Sequence, residues 1–162
     1  TRLVTGHGVP TLQSILDVSR TTTNTKIIAD GGIKTTGDMA KAIAAGADFV
    51  MLGSMLAGTE ETPGDPLFAA NGEKYKVYRG MASSTAQRSW RGKSSTPEGI
   101  STTVPYRGLV SDILRDVQGG LKSALSYTGV RTIVAFQTKA EFLQQTSAGQ
   151  AESNTHILWR NK

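Results

Sequence analysis

The chain has 162 residues, 38% of them hydrophobic and 19% charged, a size and balance that suit one globular domain. The net charge of +5 invites a nucleic-acid reading. However, the lysines and arginines are scattered and their densest stretch, Arg88 to Lys93, is short, so cationic loops around a phosphorylated small molecule fit better than nucleic acid. No apolar run approaches the roughly 20 residues of a membrane span, and the absence of cysteine excludes disulfides and thiolate metal sites within these residues, which suits a cytoplasmic setting.

The opening, Thr1 to Gly6, has neither a signal-peptide core nor an initiator Met, so more chain is expected before it. Leu12, Ile15 and Leu16 lie on one helical face and Pro10 suits a first turn, which predicts a helix over 11–19. Residues 21–25 read as a loop, and Lys26 to Asp30 as a short strand stopped by Gly31-Gly32. Thr36 is the expected N-cap of a second helix that runs through Met39, Ala40, Ile43 and Ala44 to Gly46. Asp48 to Leu52 is a second buried-type strand, closed by Gly53-Ser54. Helix, strand, helix, strand, with each strand ending in glycine, is the rhythm of a parallel α/β fold.

From Gly58 to Pro105 no period is sustained, and this stretch holds four of the five prolines. Such an insertion in a compact domain is expected to be a functional lid or flap. A last helix is predicted from Val110 to about Ser126, with Gly119-Gly120 weakening its continuity, and the polar tail 146–162 is expected to be extended. Two strands cannot close a barrel, so the remaining half must come from further chain or from a partner.

Anions bind well to backbone amides at a glycine turn leading into a helix. The chain has two such turns after consecutive strands, Ala29-Asp30-Gly31-Gly32-Ile33 and Gly53-Ser54-Met55. In a (β/α)8 barrel the loops after the last two strands lie side by side and recurrently form a phosphate site. Asp30 at a strand end suits a ribose diol. Two alternatives stay open here: the glycines serve only tight turns, or the phosphate is that of FMN in a barrel oxidase.

The succession Ile27-Ile28-Ala29-Asp30-Gly31-Gly32-Ile33, then Gly53 to Gly64, then Lys74-Tyr75-Lys76-Val77-Tyr78-Arg79-Gly80-Met81 resembles the IMP dehydrogenase/GMP reductase family. Pro97-Glu98-Gly99-Ile100, Val104 to Gly108, Gly119 to Ser123 and Tyr127-Thr128-Gly129 extend the resemblance over nearly the whole chain. It implies the C-terminal part of a single (β/α)8 TIM barrel over 1–162, with a flap inserted at about 58–105 and a tail at 146–162. Thr1-Arg2 resembles the end of the family's catalytic loop, which places the nucleophilic cysteine two residues before Thr1.

By the same resemblance Asp30 binds the ribose, and Gly31, Gly32, Gly53, Ser54 and Tyr78 surround the 5′-phosphate. Gly80, Met81 and Ala82 offer backbone groups to the purine edge and Glu98 meets the base, although Ala82 replaces the dehydrogenases' usual glycine. A thiolate adds to purine C2 and hydride passes between C2 and a nicotinamide. Tyr127 contacts the adenosine of a dinucleotide on an adjacent subunit, or else is a cap aromatic.

Dehydrogenases use an Arg-Tyr pair on the flap to activate water. Here Arg88-Ser89-Trp90-Arg91 stands instead, with Arg88 or Arg91 as a candidate or as a solvated cation, and Trp90 as a stacking residue or a flap anchor. Those residues and Ala82-Ser83-Ser84 lean toward an NADPH-dependent GMP reductase. Residues 58–64, 104–106 and 147–153 lean toward a tetrameric, NAD-dependent IMP dehydrogenase, whose tail would place backbone carbonyls of Glu152, Ser153 and Asn154 at a K⁺ site. The dehydrogenase is the favoured expectation. His7 and His156 have no metal-ligand spacing and read as structural or surface residues.

Overall fold

The computed structural model describes residues 2–22, 24–96, 99 and 101–153. After a single turn, α1 (Arg2–Thr5), the amphipathic α2 (Thr11–Thr21) turns Ile15 into the core. β1 (Ile28–Asp30), α3 (Thr36–Ala44) and β2 (Phe49–Met51) then form a parallel β-α-β unit, with Ile28, Ala29 and Asp30 opposite Phe49, Val50 and Met51. Parallel neighbours need such a crossover because a tight turn returns the chain antiparallel. The core gathers Ile15, Ala29, Ile33, Met39, Ile43 and Met55, and alanines at 42, 44, 45 and 47 let the helix lie close to the sheet.

The N-cap of α3 is Thr35, one residue before the expected Thr36. Thr35 Oγ1 accepts from the Asp38 amide at 3.1 Å, and the Asp38 carboxylate accepts from the Thr35 amide at 3.0 Å. This reciprocal capping box satisfies two otherwise orphaned donors, and the carboxylate at the third helical position sets the start.

The described residues of 58–105, expected as a patternless insertion, form regular secondary structure. β3 (Leu67–Phe68), β4 (Lys74–Arg79) and β5 (Ser101–Pro105) make an antiparallel sheet in that order, with α4 (Ser84–Arg91) between β4 and β5. β4 hid from the hydrophobic pattern because its alternation is inverted: Lys76 is 3% exposed whereas its neighbour Val77 is 50% exposed. The sheet docks through a close approach at Gly58, where a Cβ would sit 2.1 Å from the Pro105 carbonyl oxygen.

α5 (Val110–Thr128) runs unbroken through Gly119-Gly120, contrary to the expected weakening. Gly120 is where α5 meets α3, and a Cβ there would fall 2.3 Å from Thr36 Cγ2. Two more helices follow it, α6 (Ile133–Lys139) and α7 (Ser147–Glu152), the second inside the tail expected to be extended. At seven and six residues they are too short to show a period, and each is opened by a threonine cap, Thr132 or Thr146, accepting at 3.2 Å from the amide three residues on. Phe136 anchors α6 in the core. Among the described residues the outer edge of β1 is unpaired, and Ile28 and Phe49 of the two-stranded sheet are more than half exposed.

Candidate functional site

Because β1 and β2 are parallel and in register, their C-terminal ends and the turns after them lie on one edge. Gly31 and Gly32 leave β1 with φ of 91° and 78°, a left-handed path that side chains resist. Among the described residues no hydrogen bond uses the amides of Gly32, Gly53 or Ser54. Two neighbouring glycine turns therefore present free donors at the strand ends, where an anion would satisfy them.

Two details differ from the expected geometry. Gly53-Ser54 leads not into a helix but into successive tight turns: the Leu56 amide donates to Gly53 at 3.0 Å and the Thr59 amide to Leu56 at 3.1 Å. The start of α3 is also partly taken, since the Asp38 carboxylate accepts from the amides of Lys34 and Thr35 and from the Thr35 hydroxyl. Burial acts to raise the Asp38 carboxyl, but those hydrogen bonds and the Lys41 charge together hold it below the ordinary carboxylate value.

The Tyr78 hydroxyl lies 3.9 Å from where a Cβ on Gly53 would stand, so β4 meets the second turn directly. Leu52, Gly53, Ala57, Val77, Tyr78 and Arg79 line a cavity of about 560 Å³ there. Asp30 is exposed at the end of β1, and its carboxylate has no hydrogen bond or ion pair among the described residues.

At Gly80 to Ala82 the carbonyls are largely committed. Gly80 accepts from the Ser83 amide at 2.9 Å, and Ala82 accepts from the Gly99 amide at 3.1 Å and from Gln87 Nε2 at 3.2 Å. The amides of Met81 and Ala82 are free, so this segment offers donors to a ligand carbonyl, and the Met81 side chain is 76% exposed.

Arg88, Trp90 and Arg91 are exposed on α4, and the Arg91 guanidinium covers the Trp90 ring at 4.5 Å. No hydrogen bond or ion pair among the described residues joins Arg88 or Arg91 to the glycine turns. Tyr127 projects from α5, 95% exposed. Glu152 ends α7, and the Ser153 hydroxyl donates to the Gly149 carbonyl at 2.8 Å. Thr1, Glu98, Asn154 and His156 lie outside the described residues. His7 bonds locally, its Nδ1 2.8 Å from the Thr5 carbonyl.

Sequence reasoning missed Gln87, Lys76 and the Glu60–Tyr106 pair. Gln87 Oε1 accepts from the Ser95 amide at 2.8 Å, which closes the α4 segment on itself. The Tyr106 hydroxyl donates to Glu60 at 2.7 Å, and Lys74 lies 4.0 Å over the Tyr106 ring. The Tyr106 hydrogen bond, aided by the Lys74 charge, lowers the Glu60 carboxyl, and the same bond raises the Tyr106 phenol. No spacing rule marks such pairs, which lie 46 residues apart. Among the described residues no three His, Cys, Asp or Glu side chains gather as a metal site, and no helix is long and apolar enough to cross a membrane.

A parallel β-α-β unit with free-amide glycine turns at its C-terminal edge, overlain by a small antiparallel sheet, defines a parallel α/β chain with an anion-accepting edge. The model of the IMP dehydrogenase / GMP reductase domain matches residues 1–156. The chain is 45% identical to an inosine-5′-monophosphate dehydrogenase of Nitrosopumilus maritimus, covering 96% of this chain and 36% of that protein. It is 46% identical to a GMP reductase of Leishmania major, over 98% of this chain and 34% of the relative. A Trypanosoma brucei GMP reductase variant, solved in complex with guanosine 5′-monophosphate, superposes with a TM-score of 0.90 at 45% identity, covering 96% of this chain and 33% of that one.

The chain belongs to the IMP dehydrogenase / GMP reductase family, a family of oxidoreductases that use purine nucleotides and nicotinamide cofactors. That membership displaces the FMN-oxidase alternative. The chain spans about a third of the length of the relatives it matches.

Proposed function

We propose that this chain is the phosphate-binding half of the catalytic barrel of a purine-nucleotide oxidoreductase that oxidises IMP to XMP with NAD. The carrying observation is the pair of glycine turns with free amides at adjacent strand ends, with the Tyr78 hydroxyl beside Gly53. Gly31, Gly32, Gly53, Ser54 and Tyr78 hold the 5′-phosphate, and Asp30, open at the end of β1, takes the ribose hydroxyls. The amides of Met81 and Ala82 donate to the purine carbonyl and fix which edge of the ring faces the nucleophile. That nucleophile is a cysteine two positions before Thr1, and Glu98 meets the base.

A bound nicotinamide dinucleotide would supply an acceptor for the hydride of purine C2, and Tyr127, exposed on α5, would contact the adenosine of a dinucleotide held by an adjacent subunit. Water then releases the purine from the cysteine, with Arg88 or Arg91 as the cation beside the attacking water. The rest of the barrel covers the open edge of β1 and the exposed Ile28 and Phe49. The same reading gives a cytoplasmic homotetramer in which backbone carbonyls of Glu152, Ser153 and Asn154 take K⁺, Glu152 being the last residue of α7.

A second reading, NADPH-dependent reduction of GMP to IMP and ammonia, is favoured by α4. Its arginines have no tyrosine partner on the helix, and Arg91 is engaged by Trp90. Full-length protein incubated with IMP and NAD is expected to generate reduced nicotinamide absorbance. Turnover only with GMP and NADPH would replace the first reading by the second, and turnover in neither would refute both.

A further inference from the structure

We infer that Lys76 is a positioning residue for the phosphate turn, an inference that rests on the glycine turns being the phosphate site. Lys76 is buried in β4, and its Nζ donates to the carbonyl oxygens of Glu60, at 3.0 Å, and Thr62. Among the described residues no carboxylate lies within ion-pair distance of it. The adjacent Glu60 carboxylate lies 3.8 Å from Lys74 and accepts from Tyr106. An ammonium buried in a low dielectric is costly, offset here by two carbonyl dipoles and, from beyond ion-pair distance, by the Glu60 carboxylate, so its retention calls for a return beyond packing. A dianionic phosphoryl group bound at the Gly53 turn, beside the Tyr78 hydroxyl on the same strand face, would add further opposite charge.

The chain that Lys76 grips begins at the phosphate turn. The Leu56 amide donates to Gly53, the Thr59 amide to Leu56 and the Thr62 amide to Thr59, at 3.0, 3.1 and 3.2 Å. The hydroxyls repeat two of these links, Thr59 to the Leu56 carbonyl at 2.9 Å and Thr62 to the Thr59 carbonyl at 2.7 Å. An unbroken series of turns therefore joins Gly53 to Thr62. Residues 76 and 78 of β4 project to one face, about 6.8 Å apart along the strand.

The Tyr78 hydroxyl stands at the near end of that series, beside Gly53, while Lys76 holds its far end. One strand face thus fixes both ends, and Lys76 sets the spacing between the Tyr78 hydroxyl and the free amides of Gly53 and Ser54. Without the ammonium the carbonyls of Glu60 and Thr62 lose their donor, and the turns lose their anchor on β4.

The test compares IMP with inosine, which lacks only the phosphate, by calorimetric titration of the full-length protein without cofactor. IMP is substrate in one reading and product in the other, so it binds in both. Lys76→Met keeps the apolar stem and removes the charge and donors. It is expected to weaken IMP by about 10–100-fold while changing inosine by less than about threefold. Lys76→Arg, which keeps a cation and donors, is expected to recover most of the IMP preference. Lys76→Gln, uncharged, serves in place of Lys76→Met should the latter not fold, with the same expected fall in preference.

Equal weakening of both ligands, or an IMP-to-inosine ratio within about threefold of wild type, overturns the inference. Wild-type protein that binds inosine as tightly as IMP overturns the phosphate site itself, whatever the variants do.

Discussion

Gly119 and Gly120 are adjacent in α5 and identical in composition, yet the packing assigns them opposite consequences. A Cβ at Gly119 meets nothing within 4 Å, so Gly119→Ala gains only helix propensity, about 1 kcal/mol. A Cβ at Gly120 would lie 2.3 Å from Thr36 Cγ2 and 3.0 Å from Thr36 Cβ, and a side-chain rotation relieves the first contact but not the second. Overpacking of this kind costs roughly 1–3 kcal/mol, which outweighs the same propensity gain and leaves Gly120→Ala destabilised by about 1 kcal/mol. At about 2–4 °C per kcal/mol for domains of 150–250 residues, and proportionally less for a longer chain, the two variants should melt on opposite sides of wild type, about 2 kcal/mol apart. Scanning calorimetry of the full-length protein at a fixed rate measures the separation. Thr36→Ser removes Cγ2 and should restore part of the loss in the Gly120→Ala background and not in the Gly119→Ala background. Gly120→Ala melting at or above Gly119→Ala would mean that α3 and α5 are not in contact at Thr36.

Three further outcomes follow from the same packing. Gly58→Ala drives a Cβ against the Pro105 carbonyl, backbone that cannot rotate away; it should destabilise by about 2 kcal/mol or more and raise KM for the nucleotide, as thermal and steady-state assays would show. Glu61 accepts from the Val110 amide at 2.9 and 3.1 Å, capping α5 where its own N-cap residue Leu109 provides no side-chain bond, so Glu61→Ala should cost about 1 kcal/mol, measured by thermal midpoint. The Asp38 carboxyl sits below its ordinary value, so its contribution to stability is complete above the unfolded carboxylate pKa, about 3.9, and is lost as pH falls through the lower folded value. Thr35→Ala should weaken this acid-dependent part of the melting profile, and an unchanged acid limb would count against the capping box.

The sequence by itself carried the β-α-β unit. A short apolar run, a helical apolar face and a glycine stop are local signals, and Ile28–Asp30, Thr36–Ala44 and Phe49–Met51 fall where Ile27, Ile43, Val50 and the glycines direct them. The two glycine turns were legible for the same reason, since a left-handed φ at Gly32 is a property of one residue and its neighbours. The family motif identified Tyr78, but only β4 pairing with β5 and docking against the Gly53 turns brings its hydroxyl there.

Tertiary structure alone decided the rest. Lys76 is a polar residue on a buried face, so a reading by hydrophobic period discards the strand that carries it. Gly120 looks like a helix breaker until Thr36, 84 positions earlier in the chain, is packed against it. Short helices such as α6 and α7 draw their stability from capping threonines and, in α6, from one buried phenylalanine rather than from a repeating pattern. In each case the determining contact is distant in sequence or a single side chain, and neither leaves a period to be read.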